Sequence, residues 1–232
     1  MPDNPILPPP TPGALLDALL DALPLFPLQR VLFPGGVLPL QIFEVRYLDM
    51  IGRAAREGTP FGLVCLRQGS EVQRPAGNHG AYADESFHDI GTLAVITDIA
   101  RPQPGLMFIR CEGTQRFALR TRTRLAHGLW TGAATLLEPD VHVPVPDDLA
   151  ATRDALRTVV AELQARAEPG QSLPFAQPYR WDDCAWLAHR WCELLPLPSA
   201  LQQRLLETAS PLLRLELVSD MLDRTTRRAP GR

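Results

Sequence analysis

The chain contains no lysine; all 23 of its basic residues are arginine. That absence removes several chemistries at once. A Walker A phosphate loop needs a lysine to reach the nucleotide phosphates, so ATP hydrolysis by that device is excluded. A Ser-Lys hydrolytic dyad would have no base, and Schiff-base chemistry would have no amine. Cysteine is scarce too. Cys65, Cys111, Cys184 and Cys192 show no paired spacing and sit in apolar segments, which reads as reduced core thiols in a cytoplasmic protein rather than a disulfide framework. No uninterrupted apolar run approaches the roughly 20 residues that a bilayer span requires. The first basic residue is Arg30, and the early leucines are interrupted by Asp17, Asp21 and several prolines, so no secretory leader is expected. With a formal charge of −3, the chain has no global attraction for nucleic acid or anionic lipid.

What is present is concentrated in residues 23–50, where prolines, a Pro-Gly-Gly turn and a helix start are packed between apolar runs. Val31-Leu32-Phe33 has the β-branched and aromatic character of a short buried strand, and Pro34-Gly35 fits the central positions of a type II turn. Val37-Leu38 resumes an extended path, but Pro39 cannot donate a ladder hydrogen bond, so this run is expected at a sheet edge or bulge. From Glu44 the period turns helical, with Leu48, Ile51 and Ala55 as the inward stripe and Gly58 as the stop. Further strands are expected at 61–66, 92–99, 106–111, 115–125 and 130–137. Ahead of all these, residues 1–13 read as a proline-rich, disordered or extended tail, and 14–23 as a short helix docking through its leucines. Pro144 and Pro146 mark a boundary, after which helices are expected at 147–167, 183–194, 199–207 and 211–225. Ser210 is the N-cap and Pro211 the first helical residue of the last. The expected organisation is therefore a tail (1–13), a β-rich part (14–142) and a helical part (143–232).

Several of these runs carry a family resemblance. Pro24-Leu25-Phe26-Pro27-Leu28, Leu32-Phe33-Pro34-Gly35, Leu38-Pro39-Leu40 and Ile42-Phe43-Glu44-Val45-Arg46-Tyr47 resemble the signature of the Lon protease N-terminal, substrate-binding domain. Phe61-Gly62-Leu63-Val64, Asp89-Ile90-Gly91-Thr92-Leu93-Ala94 and Cys111-Glu112-Gly113-Thr114-Gln115-Arg116-Phe117 follow in order. Glu193-Leu194-Leu195-Pro196, Gln203-Arg204-Leu205-Leu206-Glu207 and Arg214-Leu215-Glu216 resemble its helical half. The resemblance implies an α+β fold, in which a PUA-like β-rich pseudobarrel is followed by an α-helical bundle. It also implies non-catalytic recognition of unfolded or weakly structured polypeptides. A stand-alone member would act as an adaptor in protein quality control beside a separate protease, with no cofactor. Exposed apolar surface could equally hold a homodimer.

Four constellations are candidates for chemistry or binding. Cys184 and His189 lie five positions apart, about 140° around a helix, and so cannot face one ion or act as nucleophile and base. Cys184, Ala188, Trp191 and Leu195 instead follow the spacing of a packed stripe. His79, Asp84, Glu85, His88 and Asp89 have metal-ligand chemistry and lie in the long polar connection 67–88, but they match neither His-Glu-x-x-His nor a calcium loop. A solvated loop is expected there, and no metal. Arg120, Arg122 and Arg124 alternate with apolar residues along 117–125, so on a strand they would project from one face as a grip for phosphate or acidic peptide. That row carries an alternative function, an RNA-binding PUA-like module. The acidic balance and the lack of interleaved aromatics weigh against it. Finally, Phe175, Tyr179 and Trp181 crowd a loop near the junction of the two parts, where an exposed apolar patch would suit peptide binding.

Overall fold

Strand β1 (Leu23–Leu28) pairs in parallel with β3 (Phe61–Gln68) and antiparallel with β9 (Trp130–Gly132). The computed structural model describes residues 12–69, 75–76, 81–82, 85–167, 173 and 175–228, so the expectations for residues 1–11, His79 and Asp84 lie outside the described residues. Pairing of β1 to β9 covers residues 23–25, and pairing to β3 covers residues 25–28. Pro24 and Pro27 therefore each have a flank on which no ladder bond is required, which lets a strand with two neighbours hold two prolines. The pattern predicted a strand at 31–33 instead. Those residues follow an irregular path, and the strand lies one proline-rich run earlier.

Strands β6 (Ser86–Gln103) and β7 (Leu106–Leu119) form a long antiparallel pair. Where two strands were expected at 106–111 and 115–125, β7 runs straight through Gly113 and stops at Leu119. A Cβ on Gly113 would lie 2.3 Å from the Phe33 carbonyl oxygen, so only glycine lets the strand pass this close to the preceding turn. The outer flank of β7 is shared: β2 (Val37–Ile42) pairs with residues 107–112 and β10 (Ala134–Leu136) with residues 117–119. Only Ala133 separates β9 from β10. One extended segment thus pairs with β1 at its start and with β7 at its end, closing the sheet on itself in the order β10-β7-β6-β3-β1-β9. β8 (Thr123–Arg124) hangs on β9, and the two-residue strands β4 (Pro75–Ala76) and β5 (Ala81–Tyr82) pair with each other.

Helix α1 (Pro12–Asp21) packs Leu16, Leu19 and Leu20 against Leu23 and Phe117. Helix α2 (Val45–Glu57) closes part of the sheet with Tyr47, Met50, Ile51 and Ala54, and Phe26 stacks on Tyr47 at 4.0 Å. The predicted stripe was one position out at both ends, since Leu48 and Ala55 are only half-buried. The predicted stop holds: Gly58 has φ +64° and its N–H bonds to the Ala54 carbonyl. A 3-10 turn (Asp147–Leu149) leads into α3 (Ala150–Arg166), followed by α4 (Cys184–Leu194), α5 (Ser199–Glu207) and α6 (Pro211–Arg228). Asp183 caps α4 by accepting from the Ala185 amide at 3.0 Å, and Ser210 caps α6 by accepting from the Leu213 amide at 3.3 Å. α4 is the centre of the helical part. Residues 184–192 are all buried, not one stripe of them, because helices enclose one side and the Pro34-Gly35 turn covers another. The fold is α+β. Among the described residues no helix is long and apolar enough to cross a membrane.

Candidate functional site

The β-rich and helical parts meet at the Pro34-Gly35 turn. Gly36 donates its amide to the Phe33 carbonyl at 2.9 Å, and Gly35 has φ +74°, as the type II reading of the sequence requires. Above the turn sits Arg190, fully buried on α4. Its Nη1 donates to the Gly35 carbonyl at 2.5 Å, and its Nη2 to the Pro34 carbonyl at 2.9 Å and Glu193 Oε1 at 2.8 Å. The guanidinium also lies 5.6 Å from the Phe175 ring and 5.7 Å from that of Trp186. Burial pushes Glu193 up to about 8 against the opposing pull of Arg190, and the same burial lowers Arg190 from its ordinary value. Beside them Phe175 forms a single β-bridge with Gly36, and the Ala176 amide donates to the Gly35 carbonyl at 3.0 Å.

A second buried cluster lies alongside. The Asp140 carboxylate accepts from Arg116 Nη2 at 2.8 Å and from Arg214 Nη1 at 2.7 Å. Arg116 also donates to the carbonyls of Leu206 (2.8 Å) and Thr208 (3.3 Å). Arg214 donates to those of Leu205 (2.9 Å) and Thr208. These carbonyls end α5, where a helix leaves acceptors unpaired and carries partial negative charge, so two arginines from outside it complete the terminus. His189 Nε2 is 3.6 Å from Asp140 Oδ2, too far for a hydrogen bond. Burial, then the charges of Arg214, Arg190 and Arg116, hold this imidazole well below its usual range, and it is neutral. Burial likewise raises the thiols, Cys192 and Cys111 to about 12 and Cys184 to about 11, so none is an activated nucleophile. Both clusters anchor one part of the molecule to the other.

The aromatic residues singled out by sequence do come together, around a fourth that was missed, Trp186. Ring centroids lie 5.9 Å apart for Phe175 and Tyr179, 5.5 Å for Tyr179 and Trp181, and 5.1 Å for Trp181 and Trp186. Phe175 is 4% exposed and belongs to the core, leaving no face for a ligand. Tyr179 and Trp181 are half-buried and keep an open edge. Phe175 and Tyr179 line a cavity of about 440 Å³, and Trp186 lines a separate one of about 460 Å³ together with the Pro34-Gly35 turn, residues 112–116, Ala176 and His189.

The arginine row is not a row. Because β7 ends at Leu119 and pairing resumes only at Thr123, the chain bends between Arg120 and Arg122, and the three side chains share no strand face. Each faces a carboxylate: Arg120 pairs with Asp21 at 3.2 Å, Arg122 with Asp89, and Arg124 with Glu85 at 3.8 Å, which Arg46 also approaches. Glu85 and Asp89, weighed as metal donors in the sequence, are thus partners of this arginine segment, and His88 pairs with Glu207 at 3.4 Å. Among the described residues no group of three His, Cys, Asp or Glu side chains is placed to hold a metal.

The profile of the ATP-dependent protease La (LON) substrate-binding domain matches residues 22–224, across both the β-rich and the helical parts. The chain belongs to that family. The Lon protease of Parabacteroides distasonis is 28% identical over 196 residues, covering 80% of this chain and 22% of its own length. That of Phenylobacterium zucineum is 27% identical over 210 residues, covering 87% and 24%. The chain therefore spans about a quarter of these curated relatives. Among solved structures, the Lon N-terminal domain protein from Xanthomonas campestris superposes with a TM-score of 0.64 at 28% identity, covering 86% of this chain and 97% of that one. The N-terminal domain of the Mycobacterium avium complex Lon protease shares the fold at a TM-score of 0.51 and 17% identity, with the same coverage. In this LON substrate-binding domain the signature turn is the point at which α4 is fastened.

Proposed function

We propose that the chain is a non-catalytic polypeptide-binding domain, acting as an adaptor that presents unfolded or weakly structured clients to a separate protease. The observation that carries this reading is the match to a substrate-binding domain along residues 22–224. Any Walker A ATPase or Ser-Lys protease needed downstream must come from outside this chain, which has no lysine. The cytoplasm fits four free cysteines. The open edges of Tyr179, which lines a cavity of about 440 Å³, and of Trp181 supply apolar contact area of the kind that binds unfolded chain. Each arginine of the 120–124 segment is engaged by a carboxylate, so no observation favours RNA as the ligand.

The test is fluorescence anisotropy with a labelled, reduced and carboxymethylated protein, compared with the same protein folded. The unfolded form is expected to bind without ATP. Tyr179→Ala and Trp181→Ala should weaken that binding about threefold or more while leaving the far-UV circular dichroism unchanged. Unaltered binding would remove the aromatic edge as a contact, and no binding of any unfolded chain would remove the function.

A further inference from the structure

Strand β2 has an open edge. It pairs with β7 along one side. The Gly36 carbonyl accepts from the Gly113 amide at 2.9 Å. Because backbone groups alternate along a strand, Leu38, Leu40 and Ile42 turn theirs toward β7, while Val37, Pro39 and Gln41 turn theirs away. The molecule already uses the start of that edge: Phe175 bridges Gly36 antiparallel, and the Ala176 amide bonds to Gly35. From Pro39 onward, no strand among the described residues pairs with it.

A groove runs beside the edge. One cavity of about 690 Å³ and a second of about 260 Å³ both include Arg30 and Pro39 in their walls, so they are contiguous. Leu32, Leu66 and Leu197 make apolar wall, and the uncompensated charge is of one sign. Arg30 and Arg67 are exposed and pair with no carboxylate among the described residues. The acids along the walls are already engaged, Glu193 by Arg190 and Glu44 by Arg46.

We propose that this groove takes an extended polypeptide segment, laid along the open edge of β2, with an acidic side chain set against Arg30 and Arg67. The inference rests on the polypeptide-binding reading and names the class of client. Main-chain bonds to the Pro39 carbonyl and to both groups of Gln41 give register, and the arginines give selectivity. Pro39 offers no N–H, so a second copy of β2 makes a poor partner for this edge. Such a copy would also bring its own Arg30 and Arg67 to the same groove.

The experiment uses the full chain and three capped peptides, N-acetylated and C-amidated so that no terminal charge competes. Each alternates apolar and polar residues and carries Glu, Gln or Lys at the centre. The Glu peptide is expected to bind about two- to fivefold more tightly than the Gln peptide, and the Lys peptide most weakly. That preference should vanish in the Arg30→Ala/Arg67→Ala double variant and fade at high salt. Hydrogen exchange at the Gln41 amide should slow on binding. Equal affinity for Glu and Gln peptides, an unaltered preference in the double variant, or unchanged exchange at Gln41 would overturn the groove. Loss of all binding to carboxymethylated protein by the wild type would overturn the polypeptide-binding reading and the groove together. Binding of that protein with no charge preference would overturn the groove alone.

Discussion

Arg190 has no contact with solvent and makes three charge-assisted hydrogen bonds, two to the turn and one to Glu193. Replacing it with methionine keeps much of the volume but removes one donor from each of the Pro34 and Gly35 carbonyls and takes the ion-pair partner from buried Glu193. Arg190→Met should destabilise the fold by about 3–5 kcal/mol in urea denaturation. Arg120→Ala, which removes an exposed pair, should change stability by less than about 1 kcal/mol in the same assay. His189 gives a pH signature. Its folded pKa lies below the unfolded one, so the unfolded chain binds the extra proton, and stability is full above about pH 6.5 and lost as pH falls. The loss through this group should approach about 1.4 kcal/mol per pH unit below 6.5, and His189→Gln should remove that share of the slope. The raised thiols act in the other direction. Stability held below about pH 9 falls as pH rises toward 12, while a thiol reagent at pH 8 should modify the cysteines only as fast as the chain unfolds. Arg190, whose neighbour on the helix face is Glu193 at i+3, was not singled out from the sequence. Which acceptors it reaches could not be read, because they lie 155 positions away.

At the scale of elements, the junction is tightest at Gly36. A Cβ there would lie 2.1 Å from Glu193 Oε1 and 3.0 Å from the Phe33 carbonyl oxygen. Gly36→Ala should therefore destabilise by about 2 kcal/mol or more, read from the denaturation midpoint, by pushing α4 off the turn. The turn itself was legible because Pro34-Gly35 dictates its geometry locally, and so was the edge position of β2, because Pro39 removes a donor whatever the surroundings. β1 was not legible. Prolines argue against a strand until the staggered pairing of β9 and β3 is known, and that stagger is set by residues at 62–65 and 130–132. The arginine segment failed for the converse reason. Alternation at 117–125 is a strand pattern, but the chain bends after Leu119, and Glu85 and Asp89 were already in reach of the side chains. Of the aromatic site, proximity was legible; the burial of Phe175 depended on Trp186 and the bridge to Gly36.

Across the whole molecule, the β-rich and helical parts share buried polar contacts that neither can satisfy alone. Arg116 of β7 completes the end of α5, Gln203 of α5 donates to the Ile90 carbonyl of β6 at 2.9 Å, and α4 holds the turn. Separating them would expose several charged groups without partners, so they should unfold together. Trp130 reports on the sheet, while Trp181, Trp186 and Trp191 report on the helices. In a Trp130→Phe variant the fluorescence transition should coincide with that seen by far-UV circular dichroism, whereas two separated midpoints would show independent units. The long reach of these contacts also sets a schedule for a chain being synthesised. β1 must wait for residue 130 before its second neighbour exists, and the Pro34-Gly35 turn must wait for Arg190. At about 5–20 residues per second, the turn stays unfastened for roughly 8–30 seconds after it is made. During that interval the nascent sheet exposes the leucines and phenylalanines it will later bury, and it is then itself an unfolded polypeptide of the kind proposed above as the client.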